Sequence, residues 1–155
     1  MDRETLKQWM ANAELSGQED SDGFLIVARG NLEFSVAYME AAEAVVCFAP
    51  ILELAGLEDA QRLTALSQSL SLNGVGNLPP GCALSYEETG DVVYLLWQQA
   101  PDQLDATRFA NAFRNIETAA AQVQEHLRRA LLEEADASNA AAAEDHEPSG
   151  IGIRV

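Results

Sequence analysis

The sequence predicts an α+β fold in which helices cover an antiparallel sheet, in the order helix, three strands, helix, two strands, helix. Several short runs alternate large apolar residues with polar or small ones, which is the period of a half-buried strand. Three longer stretches space their apolar residues three and four apart, which is the period of an amphipathic helix. Turn residues separate consecutive strand runs, so we expect neighbouring strands to pair antiparallel.

Length and charge narrow the class of protein. The 155 residues are enough for one domain with a sizeable core, which we place at residues 1–134. Twenty-five acidic residues against nine basic ones give a net charge of -16. Because such a surface repels phosphate groups and anionic lipids, we expect neither a nucleic acid partner nor membrane insertion. The sequence shows no signal peptide and no membrane-spanning run, so we expect a cytoplasmic protein.

Residues 23–51 predict the three consecutive strands. The first is an apolar run at residues 24–28, which the turn at residues 29–31 connects to the second. The second strand alternates with period two, so its large side chains share one face. They are Leu32, Phe34, Val36 and Tyr38. The third run covers residues 45–48, and we expect it to end at Pro50, which has no N–H for a ladder.

Three stretches have helical spacing. The first helix covers residues 2–15, with Asp2 as its N-cap. Its apolar face consists of Leu6, Trp9, Met10 and Ala13. The second helix covers residues 57–72 and carries a narrow leucine stripe, which fits both plain core packing and pairing with a symmetry-related copy. The stripe consists of Leu63, Leu66 and Leu70. The third helix covers residues 105–132 and has a nearly unbroken apolar face.

Residues 82–97 predict a β-hairpin. Apolar and polar residues alternate over residues 82–87, a Gly-containing turn follows at residues 88–91, and residues 92–97 are apolar. Beyond the third helix, residues 135–155 are mostly Ala, Ser, Asn, Asp and Glu, which predicts an acidic flexible tail outside the domain.

Residues that carry chemistry are few. His126 and His146 have no sequence neighbours that suggest a catalytic triad, and no nucleotide-binding or metal-binding motif occurs. Two acidic clusters fit solvated turns better than calcium sites. They are Glu19, Asp20 and Asp22, and Glu87, Glu88 and Asp91. Cys47 and Cys82 fall inside strand runs, so we expect buried, reduced thiols. We therefore predict no enzyme, no metal and no cofactor.

Residues 2–132 resemble the class I type III secretion chaperones, the Tir-chaperone-like family. The resemblance rests on the order of elements in a small, strongly acidic chain, on the acidic turn at residues 20–23 and on the helix end at residues 65–73. Its most specific part is residues 81–95, GCALSYEETGDVVYL. Together with Leu104-Asp105 it is similar to the family's glycine, strand, Thr-Gly turn, strand and "LD" helix start.

The resemblance implies a homodimeric bacterial protein that works without ATP. Such a chaperone binds the N-terminal region of a secreted effector or translocator and keeps it soluble and competent for secretion. Components of the secretion apparatus are a further class of partner. The resemblance implies a dimer interface on the second helix and nearby strands, at Leu63, Leu66, Leu70, Leu84 and Tyr86. It implies a cargo site on the first helix and the sheet, at Leu6, Trp9, Met10, Phe24, Ile26, Phe34 and Val36.

Other interpretations remain open at this point. A protein of the same fold can act as a regulator that sequesters a transcriptional regulator or another chaperone. A small hydrolytic enzyme is a third hypothesis. The apolar residues of the first helix can also simply pack on the sheet instead of holding cargo.

Overall fold

The computed structural model describes residues 1–144, which form three α-helices and a six-stranded sheet. The helices are α1 Arg3–Asn12, α2 Asp59–Leu72 and α3 Ala106–Glu144. The strands are β1 Gln18–Glu19, β2 Leu25–Arg29, β3 Leu32–Met39, β4 Ala44–Glu53, β5 Cys82–Glu87 and β6 Val92–Gln99. The α+β class and the predicted order of elements are confirmed, with β1 as an addition.

The sheet is antiparallel throughout, in the order β1-β2-β3-β4-β6-β5. The first strand lies in a stretch that the sequence predicts as a loop. Gly17 lets this stretch approach β2, because an added Cβ would stand 2.8 Å from the Ile26 carbonyl oxygen. Glu19 also forms an ion pair with Arg3 of α1. Helix α1 ends earlier, at Asn12.

The pleat divides the sheet into an inner face and an outer face, because successive side chains point to opposite sides. Directly opposed residues share a face. On the inner face, one such row across four strands consists of Val36, Cys47, Trp97 and Cys82. Inner-face residues of the strands belong to one core cluster that includes residues of all three helices. The helices therefore cover the inner face.

Helix α3 provides most of this cover. Its predicted apolar face is confirmed, since six of its residues are at most 4% exposed. They are Phe109, Phe113, Ile116, Ala120, Val123 and Leu127. The ring of Phe113 lies 5.3 Å from the ring of Phe34 on β3, between centroids. On α1, Asp2 caps the first turn as predicted, accepting a 2.8 Å hydrogen bond from the Thr5 backbone N–H.

Strand β4 continues through Pro50 to Glu53, so the predicted end at Pro50 is wrong. The pairing explains why proline fits here. Strand β3 pairs with β4 only as far as Phe48, and from Ala49 onward β4 pairs with β6 alone. Pro50 therefore lies where one side of the strand is already an edge, and a shift in register between Pro50 and Leu52 follows it.

Helix α3 continues to Glu144, so its predicted end at residue 132 is wrong. The alanines that we took for a flexible linker also have the highest helix propensity, and this extends the helix. Leu131 is the last residue that packs against the core, and the Thr64 hydroxyl of α2 bonds to the Glu134 carboxylate at 3.3 Å. The expectations for residues 145–155 lie outside the described residues.

We predict that residues 135–155 are dispensable for the fold, because the described side chains beyond Ala135 are exposed up to Ala142. Cutting the chain after Glu134 should change the melting temperature by less than ~2 °C, measured by circular dichroism. Cutting after Ala130 removes Leu131 and the contact of Glu134, so this control should melt at a lower temperature. A similar loss in both truncations would contradict the prediction.

Candidate functional site

The outer face of the sheet is apolar, and no helix residue belongs to its cluster within residues 1–144. Ala37, Ala44 and Val46 form this cluster, with Phe24 packed against them. By strand register the same face carries further side chains: Ile26, Phe48, Pro50, Tyr94 and Leu96. A soluble domain usually covers such a face, so this surface is the first candidate for binding another chain.

Three aromatic rings form a row across the outer face. The rings of Phe24 and Phe48 are 5.2 Å apart between centroids, with an interplanar angle of 73°. The rings of Phe48 and Tyr94 are 6.0 Å apart, with an angle of 79°. These edge-to-face contacts fix each ring against its neighbour. Because all three side chains are only partly buried, they form a rigid apolar strip that a partner can contact.

The predicted cargo residues divide between the two faces. Phe24 and Ile26 lie on the outer face, partly exposed. Four others lie in the core, where each is at most 3% exposed: Leu6, Met10, Phe34 and Val36. A side chain so buried has no surface to give to cargo while the fold is intact. Trp9 is partly buried, with its ring 6.2 Å from that of Phe109.

Sequence reasoning did not assign Phe48, Tyr94 and Leu96 to the site. All three lie in continuous apolar runs, which are typical of strands covered on both faces. The signal that could have found them is the number of helices. Here three helices cover only one face of a six-stranded sheet. Because β4 and β6 are apolar on both faces, the other face is apolar and open.

The two edges of the sheet differ in their access to an extended peptide. At the β5 edge, the Asn73 side chain donates to the Leu84 carbonyl at 3.0 Å and accepts from the Leu84 N–H at 2.7 Å. Asn73 thus occupies the backbone groups in the middle of β5. At the other edge, both residues of β1 are exposed. An extended segment can therefore join the sheet as a further strand more readily at β1.

The predicted dimer residues also occupy different positions. Leu63 and Leu70 are 69% and 73% exposed on α2, whereas Leu66 is partly buried against the core. Leu84 is only 7% exposed and lies in the core, which leaves it little area for a partner. Tyr86 is 41% exposed. Four exposed residues of α2 with a spacing of three and four are uncharged: Ala60, Leu63, Ser67 and Leu70. Asp59, one turn before Leu63, is the exposed charged residue at the start of this side.

An ion pair fastens α2 to the β-hairpin. The Arg62 guanidinium donates to both carboxylate oxygens of Asp91, at 2.6 and 2.9 Å, and to the Leu54 carbonyl at 3.0 Å. The Tyr86 hydroxyl donates to the same carboxylate at 2.9 Å. These hydrogen bonds, first of all those from Arg62, hold the pKa of Asp91 below its ordinary value. The pair thereby joins the end of β4, α2 and the hairpin turn.

The acidic clusters and His126 have partners within the chain. Asp20 accepts from the backbone N–H groups of Asp22 and Phe24, so this acidic cluster is a capped turn. Glu87 accepts from the N–H groups of Thr89 and Gly90 in the same way. His126 contacts Gln68 at 2.9 Å on the surface, and His146 lies outside the described residues. In residues 1–144 no cluster of His, Cys, Asp or Glu is placed to hold a metal ion.

Both cysteines are free thiols. Cys47 is buried and Cys82 half-buried, on the two strands that flank Trp97. Burial raises the pKa of the Cys47 thiol far above its ordinary value and that of Cys82 to about 11. Thiols with raised pKa values are poor nucleophiles at neutral pH, and both cysteines pack in the core cluster.

No protein-family model matches the sequence, and no curated protein matches it. Solved structures do match the fold. The HopA1–SchA chaperone–effector complex matches with a TM-score of 0.59 and 11% identity, over 79% of this chain and 92% of that chain. The Yersinia pestis type III secretion chaperone SycH, solved with a stable fragment of YscM2, matches with a TM-score of 0.54 and 16% identity, over 77% and 97%.

A third match has a different description. YbjN, a putative transcription regulator from E. coli, matches with a TM-score of 0.59 and 15% identity, over 83% of this chain and 93% of that chain.

The two chaperone matches show that the chain has the fold of the class I type III secretion chaperones, and the resemblance in its sequence is confirmed at the level of fold. No helix within residues 1–144 is long and apolar enough to span a membrane.

We predict that the Arg62–Asp91 pair stabilises the protein in a pH-dependent way. Because the folded pKa of Asp91 is lowered, its contribution is complete above the ordinary aspartate pKa of about 3.9 and is lost as the pH falls through the lowered value. Arg62→Met should therefore lower the melting temperature at neutral pH, and the difference from wild type should shrink at about pH 3 and below.

Arg129→Met is the matched control, because its ion pair with Glu125 is largely exposed and should contribute little at any pH. Thermal melts at several pH values measure both variants. A constant difference between wild type and Arg62→Met across the pH range would show that Arg62 acts through its packing and its hydrogen bond to the Leu54 carbonyl, and not through the charge of Asp91.

Proposed function

We propose that this protein is a cytoplasmic type III secretion chaperone, which binds the N-terminal segment of a secreted effector and keeps it unfolded. The observation that carries the proposal is the open apolar outer face on a fold shared with chaperones solved in complexes. The aromatic row of Phe24, Phe48 and Tyr94 provides rigid anchors for apolar side chains. The exposed β1 edge offers unpaired backbone groups to an extended chain.

The proposed role requires binding alone and no catalytic step. An unfolded segment exposes apolar side chains and unpaired backbone groups, and the outer face and the β1 edge complement both. Binding would also cover the outer face, so that the exposed apolar surfaces of both the segment and the sheet are removed from water and cannot aggregate. We therefore propose a protein that is neither an enzyme nor dependent on ATP.

The second part of the proposal is a homodimer through α2. Leu63 and Leu70 are large, exposed and on one side of the helix. Burying each of them in a dimer is worth roughly 1.5–3 kcal/mol. In a chain with a net charge of -16, the stripe of α2 from Ala60 to Leu70 is uncharged, so two copies that meet along it bring few like charges together.

We predict that Leu70→Glu converts the dimer to a monomer, because it places two carboxylates near the symmetry axis. The fold should survive, since Leu70 is 73% exposed. Leu132→Glu is the matched control, as this leucine is 68% exposed on α3. Light scattering measures the mass of each variant. If Leu70→Glu is still a dimer, α2 does not form the dimer interface.

We predict that Phe48→Ala weakens cargo binding roughly thirtyfold, which corresponds to about 2 kcal/mol for an aromatic anchor. Phe48 contacts both other rings of the row and is only partly buried, so the fold should tolerate the change. Calorimetry with the N-terminal segment of a secreted effector from the same bacterium measures the affinity. Leu132→Ala serves as the control. Equal affinities for wild type and Phe48→Ala would move the cargo site off the outer face.

A regulatory role is the second candidate, favoured by the likeness to YbjN, which is described as a putative transcription regulator. In that case the outer face would hold a folded or unfolded regulator instead of an effector. The affinities of wild type and Phe48→Ala for effector segments and for regulatory proteins of the same bacterium separate the two roles. Only the affinity for the true partner should be lower in the variant.

A further inference from the structure

The margins of the outer face carry carboxylates. Glu33 on β3 lies opposite Ala28, and its side chain therefore points to the outer face. Glu53 on β4 and Glu87 on β5 both lie opposite Val92, which places them on the outer face as well. Each of the three is exposed, and the Glu87 carboxylate also accepts the backbone N–H groups of Thr89 and Gly90. The apolar centre of the face is thus bordered by negative charge on three strands.

A groove of about 510 Å³ opens onto the same surface beside β1. Ile26 and Ala28 form its apolar floor, and carboxylates of Glu19, Asp20 and Glu33 line it. Two of these charges already have partners within the chain. Glu19 pairs with basic residues of α1, and Asp20 accepts backbone N–H groups. In the described part of the chain no cation pairs with Glu33.

Little positive charge faces this surface within the described residues: Arg3 and Lys7 of α1 reach its margin, and both pair with Glu19 there. Of the eight basic residues in residues 1–144, seven are on helices, which pack against the inner face. Arg29 is the remaining one, at the end of β2. It lies opposite Leu32, a core residue, and its guanidinium donates to the Glu14 carbonyl at 3.2 Å. The outer face therefore presents an apolar surface in a negative potential.

This charge distribution favours one class of binding partner on the outer face over the others. A second copy docked through the same face would bring its own Glu33, Glu53 and Glu87 to the margins where this copy already carries carboxylates, and like charges in an interface are costly. Self-association instead has the uncharged stripe of α2 available. An anionic segment meets the same repulsion as a second copy. A segment that carries positive charge gains attraction at the margin and apolar contact in the centre.

We propose that the segment held on the outer face is amphipathic and net basic, with apolar side chains interspersed with lysine or arginine. This inference rests on the proposed chaperone function and names the chemical class of its cargo. The apolar side chains contact the row of Phe24, Phe48 and Tyr94, and the basic ones reach the marginal carboxylates, first of all Glu33. Affinity for such a segment falls as salt is added, because the ionic part is screened.

The test uses three synthetic peptides with identical apolar residues and with lysine, serine or glutamate at the remaining positions. About ten residues suffice, since ~3.3 Å per residue spans the five ~4.8 Å intervals of the sheet. Fluorescence anisotropy with the full chain measures each dissociation constant at low and high salt. The lysine peptide should bind at least tenfold more tightly than the serine peptide, and the glutamate peptide more weakly still. High salt should reduce these differences.

Two double variants separate a local effect from the general field of the protein. Glu33→Gln with Glu53→Gln should bring the lysine peptide to within about threefold of the serine peptide, a loss of ~0.7 kcal/mol or more in preference. Glu133→Gln with Asp136→Asn changes the net charge equally on exposed positions of α3, and should leave the preference unchanged. An equal loss in both double variants would overturn the assignment to the outer face.

Failure of the charge inference and failure of the proposed function give different results. If the serine and lysine peptides bind equally and Phe48→Ala weakens both, the outer face holds cargo and the basic class is wrong. If Phe48→Ala changes the affinity of no peptide, the outer face is not the cargo site and both proposals fail. A lysine preference that Phe48→Ala and the Glu33 variant both reduce supports the inference.

Discussion

The structure depends on one constraint: β4 and β6 are apolar on both faces, whereas the three helices cover only one. On the inner face, Cys47 and Leu95 are fully buried beneath the helices. On the outer face, Phe48 and Leu96 pair directly with each other across the two strands and stay partly exposed. A sheet of this kind is stable as a scaffold because one face supplies the core. Its other face is left open within residues 1–144.

The negative net charge opposes self-association through this exposed apolar face. Exposed apolar faces tend to associate, and the carboxylates around this one oppose association with its own copies. The uncharged stripe of α2 is an exception to the pattern of the chain, since Leu63 and Leu70 are exposed with no acidic residue between them. The two apolar surfaces, the leucine side of α2 and the outer face of the sheet, therefore differ in the charge around them. One can meet its own copy, and the other can meet a partner of opposite charge.

Local patterns predicted much of the fold. Period-two alternation identified β3 and the hairpin, and helical spacing identified the three helices, because each pattern follows directly from backbone geometry. The site was harder, since Phe48 lies in a continuous apolar run without alternation, and only sheet pairing shows that it faces the side opposite to Phe34. The end of α3 was missed because alanine suits a helix as well as a linker. Pro50 was misread because the end of the β3 pairing cannot be seen in sequence.

Helix α2 connects several features that look independent in the sequence. Its inward residue Ala65 is fully buried, its outward leucines are exposed, and Arg62 fastens it to Asp91 of the hairpin turn. Asn73 at its end occupies the open edge of β5 through Leu84. A rotation of α2 that buried its leucines differently would also pull Asn73 from the edge. In the proposed dimer, the geometry of the contact and the protection of the β5 edge are therefore coupled through one helix. This leaves β1 as the edge where an extended chain can join without disturbing α2.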